Sequence, residues 1–360
     1  MSKYKICVYS ICKNEEQFVD RWMDSIGEAD LVVVCDTGST DNTVEMLRNR
    51  GAQVYSICVS PWRFDVARNV SLDFIPDDYD ICVCTDLDEV LESGWREKME
   101  KVWTPQTTRL KYMYTWKFNS DGTRGVTYWY EKIHGRHGYR WVNPIHETVK
   151  YYGENEIFAC DSTIQLNHFP DNSKSRGQYL GLLELSKKEN PMDSSTVFWL
   201  GREYMFYGQY DKAIETLNEH LALPTATWDQ ERSASIRYIS RCYKAKGDIK
   251  KAKAWLYKAI AECAEIREPY MEMARLGYEL KDWPLVYHMI EEVLSIKVKQ
   301  VSYLVEDSSW NSNPYDLGAI ACYQLGLYHR AVELAKTAVE MEPDDIRLKN
   351  NLKLIQEKVN

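Results

Sequence analysis

Short apolar runs that alternate with amphipathic stretches open the chain and predict a series of strands and helices. Phe18, Trp22 and Ile26 form one helical stripe after the first run, and residues 65–74 predict a helix before the fourth. This β-α alternation is typical of a mostly parallel sheet with helices on both faces. The predicted strands cover residues 5–10, 31–36, 52–59 and 79–85.

The pattern changes to period-two alternation beyond residue 109. Residues 110–118 and 125–133 alternate strongly and are separated by the turn-like residues 119–122, so we expect an antiparallel hairpin added to the sheet. A further strand is predicted at residues 162–167, directly before His168. The hairpin is rich in Tyr and Trp. This is the pattern of a half-buried hairpin, in which one or two rings can remain available for stacking on a ligand.

A helical pattern fills the rest of the chain, and it repeats. Related segments begin at residues 208, 247, 281 and 326, with uneven spacing, and three of the four carry Ala at the sixth position. They resemble tetratricopeptide units, which pair two helices through a tight turn. Polar residues and Pro170 interrupt the periodicity before this region. We therefore predict two domains, residues 1–172 and 173–360.

Composition narrows the classes of function. A formal net charge of −9 argues against a nucleic-acid or anionic-membrane surface as the main binding partner. No segment has the pattern of a signal peptide or the length of a membrane span. The ten cysteines form no CxxC pair, and we expect small buried thiols in a reducing, cytoplasmic environment.

Polar residues follow three of the predicted strands, where open α/β sheets build nucleotide sites. Asp86 and Asp88 flank one apolar residue just past a buried run, Asp36 ends the second run, and Asn14 and Glu15 follow the first. Two carboxylates in such a crevice suit an oxygen-ligand cation that bridges the protein and a diphosphate. Asp-x-Asp is also common in solvated turns. The motif indicates a nucleotide site only because polar residues also follow the other two predicted strands.

These residues resemble the catalytic half of a family 2 glycosyltransferase of the GT-A fold. With the repeat region attached, the chain is similar overall to the sublancin-type peptide S-glycosyltransferases. The resemblance implies an α/β fold, a GT-A domain with a mixed, mainly parallel sheet, followed by an all-α tetratricopeptide-like repeat domain. It rests on Asn14-Glu15, Asp36 with Gly38-Ser39-Thr40-Asp41, Ala67-Arg68-Asn69, Asp86-Leu87-Asp88, Ile145-His146-Glu147 and Leu166-Asn167-His168.

The resemblance implies a donor site that holds a UDP-sugar and Mn²⁺ or Mg²⁺. Asp88 would bind the metal, with His168 as a further ligand, while Asp86 would hold the ribose and support the metal. A metal is needed because the departing diphosphate gains negative charge as the glycosidic bond breaks. His168 has an ordinary alternative role as a hydrogen-bonded polar side chain.

Four other residues receive roles by the same resemblance. Asp36 would accept hydrogen bonds from the base, Arg68 would contact the base or phosphates, and Asn14 and Glu15 would lie beside the uracil. The structural alternatives are a turn-capping Asp36, a helix-capping Asn14 or Glu15, and a surface ion pair between Arg68 and Asp65.

Glu147 is the candidate general base, because inversion by direct displacement requires a group that takes the acceptor's proton. Its alternative role is structural, at the entry to a strand. A cysteine thiol acceptor would need less help from a base than a sugar hydroxyl.

The leading hypothesis is a metal-dependent, inverting glycosyltransferase that uses a UDP-sugar. A helical repeat domain favours a peptide or protein acceptor, since such surfaces bind extended chains, and it could also support a homodimer. The alternatives are a lipid-linked or polysaccharide acceptor, and a repeat scaffold that senses a nucleotide without catalysis. A nucleotidyltransferase is disfavoured because the chain shows no Gly-rich phosphate loop near the first strand.

Overall fold

A computed structural model describes residues 3–119, 121–171, 177 and 179–359 of the chain. The chain divides into two compact units, Met1–Ser186 and Lys187–Asn360. The boundary predicted between residues 172 and 173 lies outside the described residues.

The first unit is a mixed α/β structure, as the alternating pattern predicts. Its helices are α1 Glu16–Ser25, α2 Thr43–Asn49, α3 Phe64–Asp73 and α4 Trp95–Val102, and α5 Tyr179–Glu189 runs across the boundary between the units. Its strands are β1 Ile6–Cys12, β2 Leu31–Asp36, β3 Gln53–Ser56, β4 Ile81–Cys84, β5 Glu89–Leu91, β6 Arg109–Phe118, β7 Arg124–Gly135, β8 Tyr139–Val142, β9 Thr148–Tyr151 and β10 Phe158–His168.

Eight strands of the described part of the chain form one sheet, in the order β3-β2-β1-β4-β7-β6-β10-β5. Strands β1 to β4 run parallel, so the carboxyl ends of β1, β2 and β4 lie side by side. β7 runs antiparallel to both β4 and β6, which confirms the predicted hairpin. β10 runs parallel to β6 and antiparallel to β5. This pairing directs the end of β10 toward the segment that follows β4.

One strand prediction was too long. Residues 52–59 were expected to form a strand, but β3 ends at Ser56 and Cys58 is exposed beyond it. Cys160 is exposed as well, whereas the other eight cysteines are buried free thiols.

Tight packing fixes the carboxyl edge of the sheet. Trp22 of α1 is fully buried, and its indole N–H donates to the Thr85 hydroxyl at the end of β4 over 3.0 Å. Burying a large aromatic ring while satisfying its single donor stabilises both elements. The backbone that leads into Asp86 therefore starts from a rigid position.

Strands β8 and β9 form a separate two-stranded sheet that closes over the first. Trp141 of β8 donates to the Tyr9 hydroxyl over 2.8 Å, and that hydroxyl lies 2.8 Å from His134 Nε2. Asn69 of α3 exchanges two hydrogen bonds with the Trp141 backbone. These contacts hold the connection between β8 and β9, which carries Glu147, against α3.

The second unit is an all-helical, tetratricopeptide-like repeat region. In each pair the turn between helices contains a residue in the left-handed region. It is Gly208, Gly247 and Gly326 in three pairs and Lys281, at φ 58°, in the other. The pairs are α6 Ser194–Phe206 with α7 Tyr210–Ala222, α8 Asp229–Ala245 with α9 Ile249–Glu262, α10 Glu268–Glu279 with α11 Trp283–Ser295, and α12 Asn313–Gln324 with α13 Tyr328–Met341, followed by α14 Ile346–Gln356.

Small residues bring the paired helices together. Ala213, Ala252 and Ala331 are fully buried at equivalent positions of the second helices, where the sequence places a small side chain. A long connection, residues 296–312, joins α11 to α12 and contains a short 3₁₀ turn at Asp307–Ser309. This connection accounts for the wide last interval between the sequence repeats.

Candidate functional site

The ends of β1 and β2 are joined by a network of short hydrogen bonds. Asn14, at φ 55°, donates its backbone N–H to the Ser39 hydroxyl and accepts from Thr40 N–H over 2.7 Å. Glu15 N–H donates to the Thr43 hydroxyl over 2.7 Å, and the Glu15 side chain makes no capping bond to α1. Asn14 therefore links the segments that follow β1 and β2 through hydrogen bonds.

Asp36 is 4% exposed at the end of β2. Its carboxylate accepts from the backbone N–H groups of Gly38 and Ser39 at 3.1 and 3.0 Å. This is the turn-capping role considered as an alternative. A carboxylate has about four acceptor sites, so this capping is compatible with a further contact.

Arg68 lies inside the site and is 4% exposed. Its guanidinium donates to Asp86 at 2.8 Å and to Glu147 Oε1 at 2.5 Å, and it lies 5.2 Å from the ring of Trp141. The surface pair with Asp65 considered from the sequence was wrong, because Asp65 pairs with Arg63 instead. One cation thus links the segment after β4 to the connection between β8 and β9.

Asp86 receives a second cation from the hairpin. Lys132 of β7 is 8% exposed, and its ammonium lies 3.5 Å from Asp86 Oδ2. Burial disfavours ionisation of Asp86, but Arg68 and Lys132 outweigh it and hold the pKa of this carboxyl well below its ordinary value. Asp86 is therefore a fixed anion between two fixed cations.

Glu89 holds the backbone of the segment that follows β4. It is 2% exposed, accepts from Asp86 N–H at 2.9 Å, and accepts from the Tyr114 hydroxyl at 2.8 Å. Burial, together with the nearby Asp86 and Asp88, raises the pKa of Glu89, although Lys132 opposes the shift. Its role here is to orient the Asp86 backbone.

Asp88 and His168 face each other across the site. His168 Nε2 lies 3.3 Å from Asp88 Oδ2, while its Nδ1 lies 3.2 Å from the carbonyl oxygen of Trp116. A nitrogen that faces a carbonyl must carry the ring hydrogen, so Nε2 is the nitrogen directed at the carboxylate. Two lone pairs cannot approach so closely, so Nε2 carries a second ring hydrogen and donates it to Asp88, which makes His168 a cation. Burial lowers the pKa of His168, but its hydrogen bond to Asp88 reverses the sign and leaves that pKa raised.

Glu147 completes the group of site residues. Its side chain is 10% exposed and is held by Arg68. Two residues of the connection, Asn143 and His146, have φ of 76° and 50°. The structure therefore brings Arg68, Asp86 and Glu147 into direct contact and joins Asp88 to His168.

Sequence reasoning missed Lys132 and Glu89 as members of the site. Lys132 continues the period-two face of Tyr128 and Tyr130, and a lysine on a buried face of a strand is an identifiable signal. Glu89 follows the acidic triplet directly, but only the burial of its side chain marks it.

The aromatic hairpin is mostly core, as predicted. Tyr112 and Tyr114 are buried, whereas Trp116 and Trp129 are 42% and 43% exposed. Trp116 stacks on His168 with ring centroids 4.4 Å apart and is the exposed ring next to the candidate metal ligand.

A metal ion needs ligands in a suitable number. Among the described residues, no group of three or more His, Cys, Asp or Glu side chains is arranged to hold one. Asp88 and His168 still offer one carboxylate oxygen and one imidazole nitrogen, which lie 3.3 Å apart. Mg²⁺ in nucleotide sites is commonly held by one or two carboxylates plus substrate phosphates, so this pair fits such an ion.

The comparisons with known proteins concern the repeat region. Residues 239–264, in α8 and α9, match the Tetratricopeptide repeat family. No curated protein matches the chain. No helix in the described ranges is long and apolar enough to cross a membrane.

Several solved structures are similar to part of the chain. MamA is 20% identical over 47% of this chain and 89% of its own, with a TM-score of 0.37. YrrB, described as a tetratricopeptide protein with an unusual peptide-binding site, is 12% identical over 48% and 81%, with a TM-score of 0.39. TTC0263, described as a thermophilic tetratricopeptide protein of Thermus thermophilus, is 17% identical over 49% and 88%, with a TM-score of 0.33. At these scores the likenesses carry no argument about this chain.

Proposed function

We propose that this protein is a metal-dependent glycosyltransferase that moves a sugar from a UDP-sugar to a polypeptide acceptor with inversion. The observation that carries the proposal is the convergence of Arg68, Asp86, Asp88, Glu147 and His168 at the carboxyl end of β4. These residues come from separate elements and include paired acids, two kinds of cation and a candidate metal pair.

Asp88 and His168 would hold Mn²⁺ or Mg²⁺, with the donor's diphosphate completing the coordination. When bound there, the ion would neutralise charge on the departing diphosphate. The hydrogen bond from His168 Nδ1–H to the Trp116 carbonyl orients the ring for this role.

Asp86, Arg68 and Lys132 would position the donor. Their charges are already ordered before a ligand arrives, which lowers the reorganisation needed during reaction. Asn14, Glu15 and Asp36 would contact the nucleoside at the neighbouring ends of β1 and β2.

Glu147 would act as the base. Its carboxylate would take the proton of the acceptor nucleophile while that nucleophile bonds to the anomeric carbon. The bond from that carbon to the diphosphate oxygen breaks at the same time, and UDP leaves with the electron pair.

The test is hydrolysis of a panel of sugar nucleotides with Mn²⁺, followed by mass spectrometry. We expect one donor to be hydrolysed, and Asp88→Asn to reduce the rate about 10²–10³-fold. Asp20→Asn, at an exposed position of α1, is the matched control and should retain the wild-type rate. Equal hydrolysis by wild type and Asp88→Asn would reject the role of Asp88.

A nucleotide-sensing scaffold without catalysis is the second candidate. It is favoured by the engagement of Arg68 with both Asp86 and Glu147, which closes the site with internal ion pairs. In that case UDP should raise the melting temperature of wild type and Asp88→Asn equally, with or without metal. No sugar nucleotide of the panel would then be hydrolysed.

A further inference from the structure

The connection between α11 and α12 lies on the first helices of three successive pairs. Tyr303 stacks on Trp199 of α6 at 5.4 Å and donates to Glu231 of α8 at 2.7 Å. Trp310 donates its indole N–H to Glu268 of α10 at 3.2 Å. The first helices of neighbouring pairs contact one another, so this connection covers a continuous face.

Three arginines surround one carboxylate of the connection. Glu306 lies 2.6 Å from Arg237, 2.7 Å from Arg241 and 3.8 Å from Arg275. Burial opposes ionisation of Glu306, but Arg237 and Arg241 lower its pKa to about 2. We refer to Arg237, Arg241, Glu272, Arg275 and Glu306 as the repeat-face cluster.

Arg237 shows that this cluster has unused capacity. Its side chain is 1% exposed, and its Nε–H has no hydrogen-bond partner in the described part of the chain. A buried donor without a partner is costly, so an oxygen acceptor that reached this nitrogen would relieve that cost.

A groove of about 390 Å³ opens beside Glu306. Its charged lining includes Arg241, Lys244, Glu272, Arg275, Glu279 and Glu306. If Glu306 left, the remaining cations of the groove and of Arg237 would outnumber the two remaining acids. The face would then carry a local positive charge on a chain whose net charge is −9.

We propose that this face of the repeat region binds an acidic polypeptide segment, and that Glu306 occupies the site as an internal substitute for a ligand carboxylate. The buried Arg237 makes the exchange selective, because withdrawing its partner without replacement leaves an uncompensated buried charge. A neutral peptide cannot replace Glu306, whereas a Glu or Asp side chain can. The acids Glu272 and Glu279 that remain on the face disfavour the dense charge of a nucleic acid.

Hydrogen exchange on the wild-type protein tests this inference without any substitution. We expect hexaglutamate to increase amide exchange in residues 302–310, because the peptide displaces the connection. Hexaglutamine, which has nearly the same size but no charge, should leave the exchange unchanged. Unchanged exchange with hexaglutamate would overturn the proposal.

Substitutions give a second measurement with a labelled peptide. Glu306→Gln should bind hexaglutamate at least tenfold more tightly than wild type, because the internal competitor has lost its charge. Tyr303→Phe loosens the connection without altering an arginine and should tighten binding in the same direction. It also serves if Glu306→Gln does not fold.

Adding Arg241→Gln to either variant should remove the gain in affinity for hexaglutamate, since the Arg241 guanidinium would bind the incoming carboxylate. Affinity that does not change in the two single variants would reject the proposal. Tighter binding of an oligothymidylate of equal charge than of hexaglutamate would reject it as well. The inference does not depend on glycosyl transfer, so a protein that hydrolyses no sugar nucleotide leaves it standing.

Discussion

Each of the two units contains a network of ionised side chains. Both networks combine carboxylates with lysine or arginine cations, but the acids are in excess in the first and the cations in the second. At the end of β4, Asp86, Asp88 and Glu147 outnumber the permanent cations Arg68 and Lys132. In the repeat-face cluster, three arginines outnumber the two glutamates. The same chemistry therefore suits a cation in the first unit and an anion in the second.

This contrast teaches that the excess charge, rather than the presence of ion pairs, identifies the ligand. Paired charges satisfy one another, and surface pairs contribute little. What remains after pairing defines the field that a ligand meets. Of the three acids Asp86, Asp88 and Glu147, Asp88 is the one with no lysine or arginine partner in the described contacts.

The largest effect should come from removing Asp86. Asp86→Ala takes the carboxylate away from the buried Arg68 and Lys132, and the guanidinium of Arg68 cannot release its proton to escape the unpaired charge. We expect the free energy of opening of β4 and β1 to fall by about 3 kcal/mol. Hydrogen exchange of amides in these strands measures it, because denaturation of the whole chain would mix two units.

Asp88→Ala provides the contrast within the same site. Its partner His168 can lose its proton and become neutral, so we expect a stability loss of about 1 kcal/mol or less. If Asp88→Ala opened β4 as much as Asp86→Ala, the distinction between paired and excess charge would be wrong.

Acid should weaken the first unit through His134. Burial lowers the pKa of His134 to about 4, and Arg109 and Arg136 act in the same direction. The unfolded chain takes up this proton near pH 6.5. The stability that the buried, neutral His134 contributes is therefore present above that pH and is lost as pH falls toward 4. Between pH 7.5 and 5 the loss should be about 2 kcal/mol.

The measurement is hydrogen exchange of β7 amides at the two pH values, corrected for intrinsic exchange rates. In His134→Gln this part of the pH dependence should disappear, although the variant will be less stable throughout. An identical loss in wild type and variant would exclude His134 as its source.

The smallest effect concerns the repeat region, where a residue can be compared with those at the equivalent position of the other helix pairs. Lys281 occupies a left-handed position that glycine holds in the other three pairs. Lys281→Gly should stabilise the pair α10–α11 by about 1 kcal/mol, seen as slower amide exchange. Leu280→Gly, at a right-handed position, should destabilise it instead.

The local elements of both units could be predicted from sequence, because periodicity is a local property. β2 was predicted at its observed bounds, and the turns at Gly208, Gly247 and Gly326 follow from the repeated segments. The mixed α/β and repeat-helical classes were therefore confirmed, while the catalytic class remains a proposal.

Which residues meet at the site depends on pairing between strands that are distant in the sequence. His168 reaches Asp88 because β10 runs parallel to β6 and pairs with β5, and Lys132 reaches Asp86 because β7 joins β4. Glu306 likewise reaches α8 from a connection more than sixty residues away. Such registers are set by the whole fold and leave no local signal.

The bond between Arg68 and Glu147 has a consequence for the order of events in the proposed reaction. A carboxylate oxygen that already accepts from a guanidinium is less available to a second donor, so the resting protein would be protected from wasteful attack by water. Arrival of the anionic donor would draw Arg68 toward its phosphates and free Glu147. Steady-state kinetics should then follow a compulsory sequence in which the nucleotide sugar binds first and the polypeptide second.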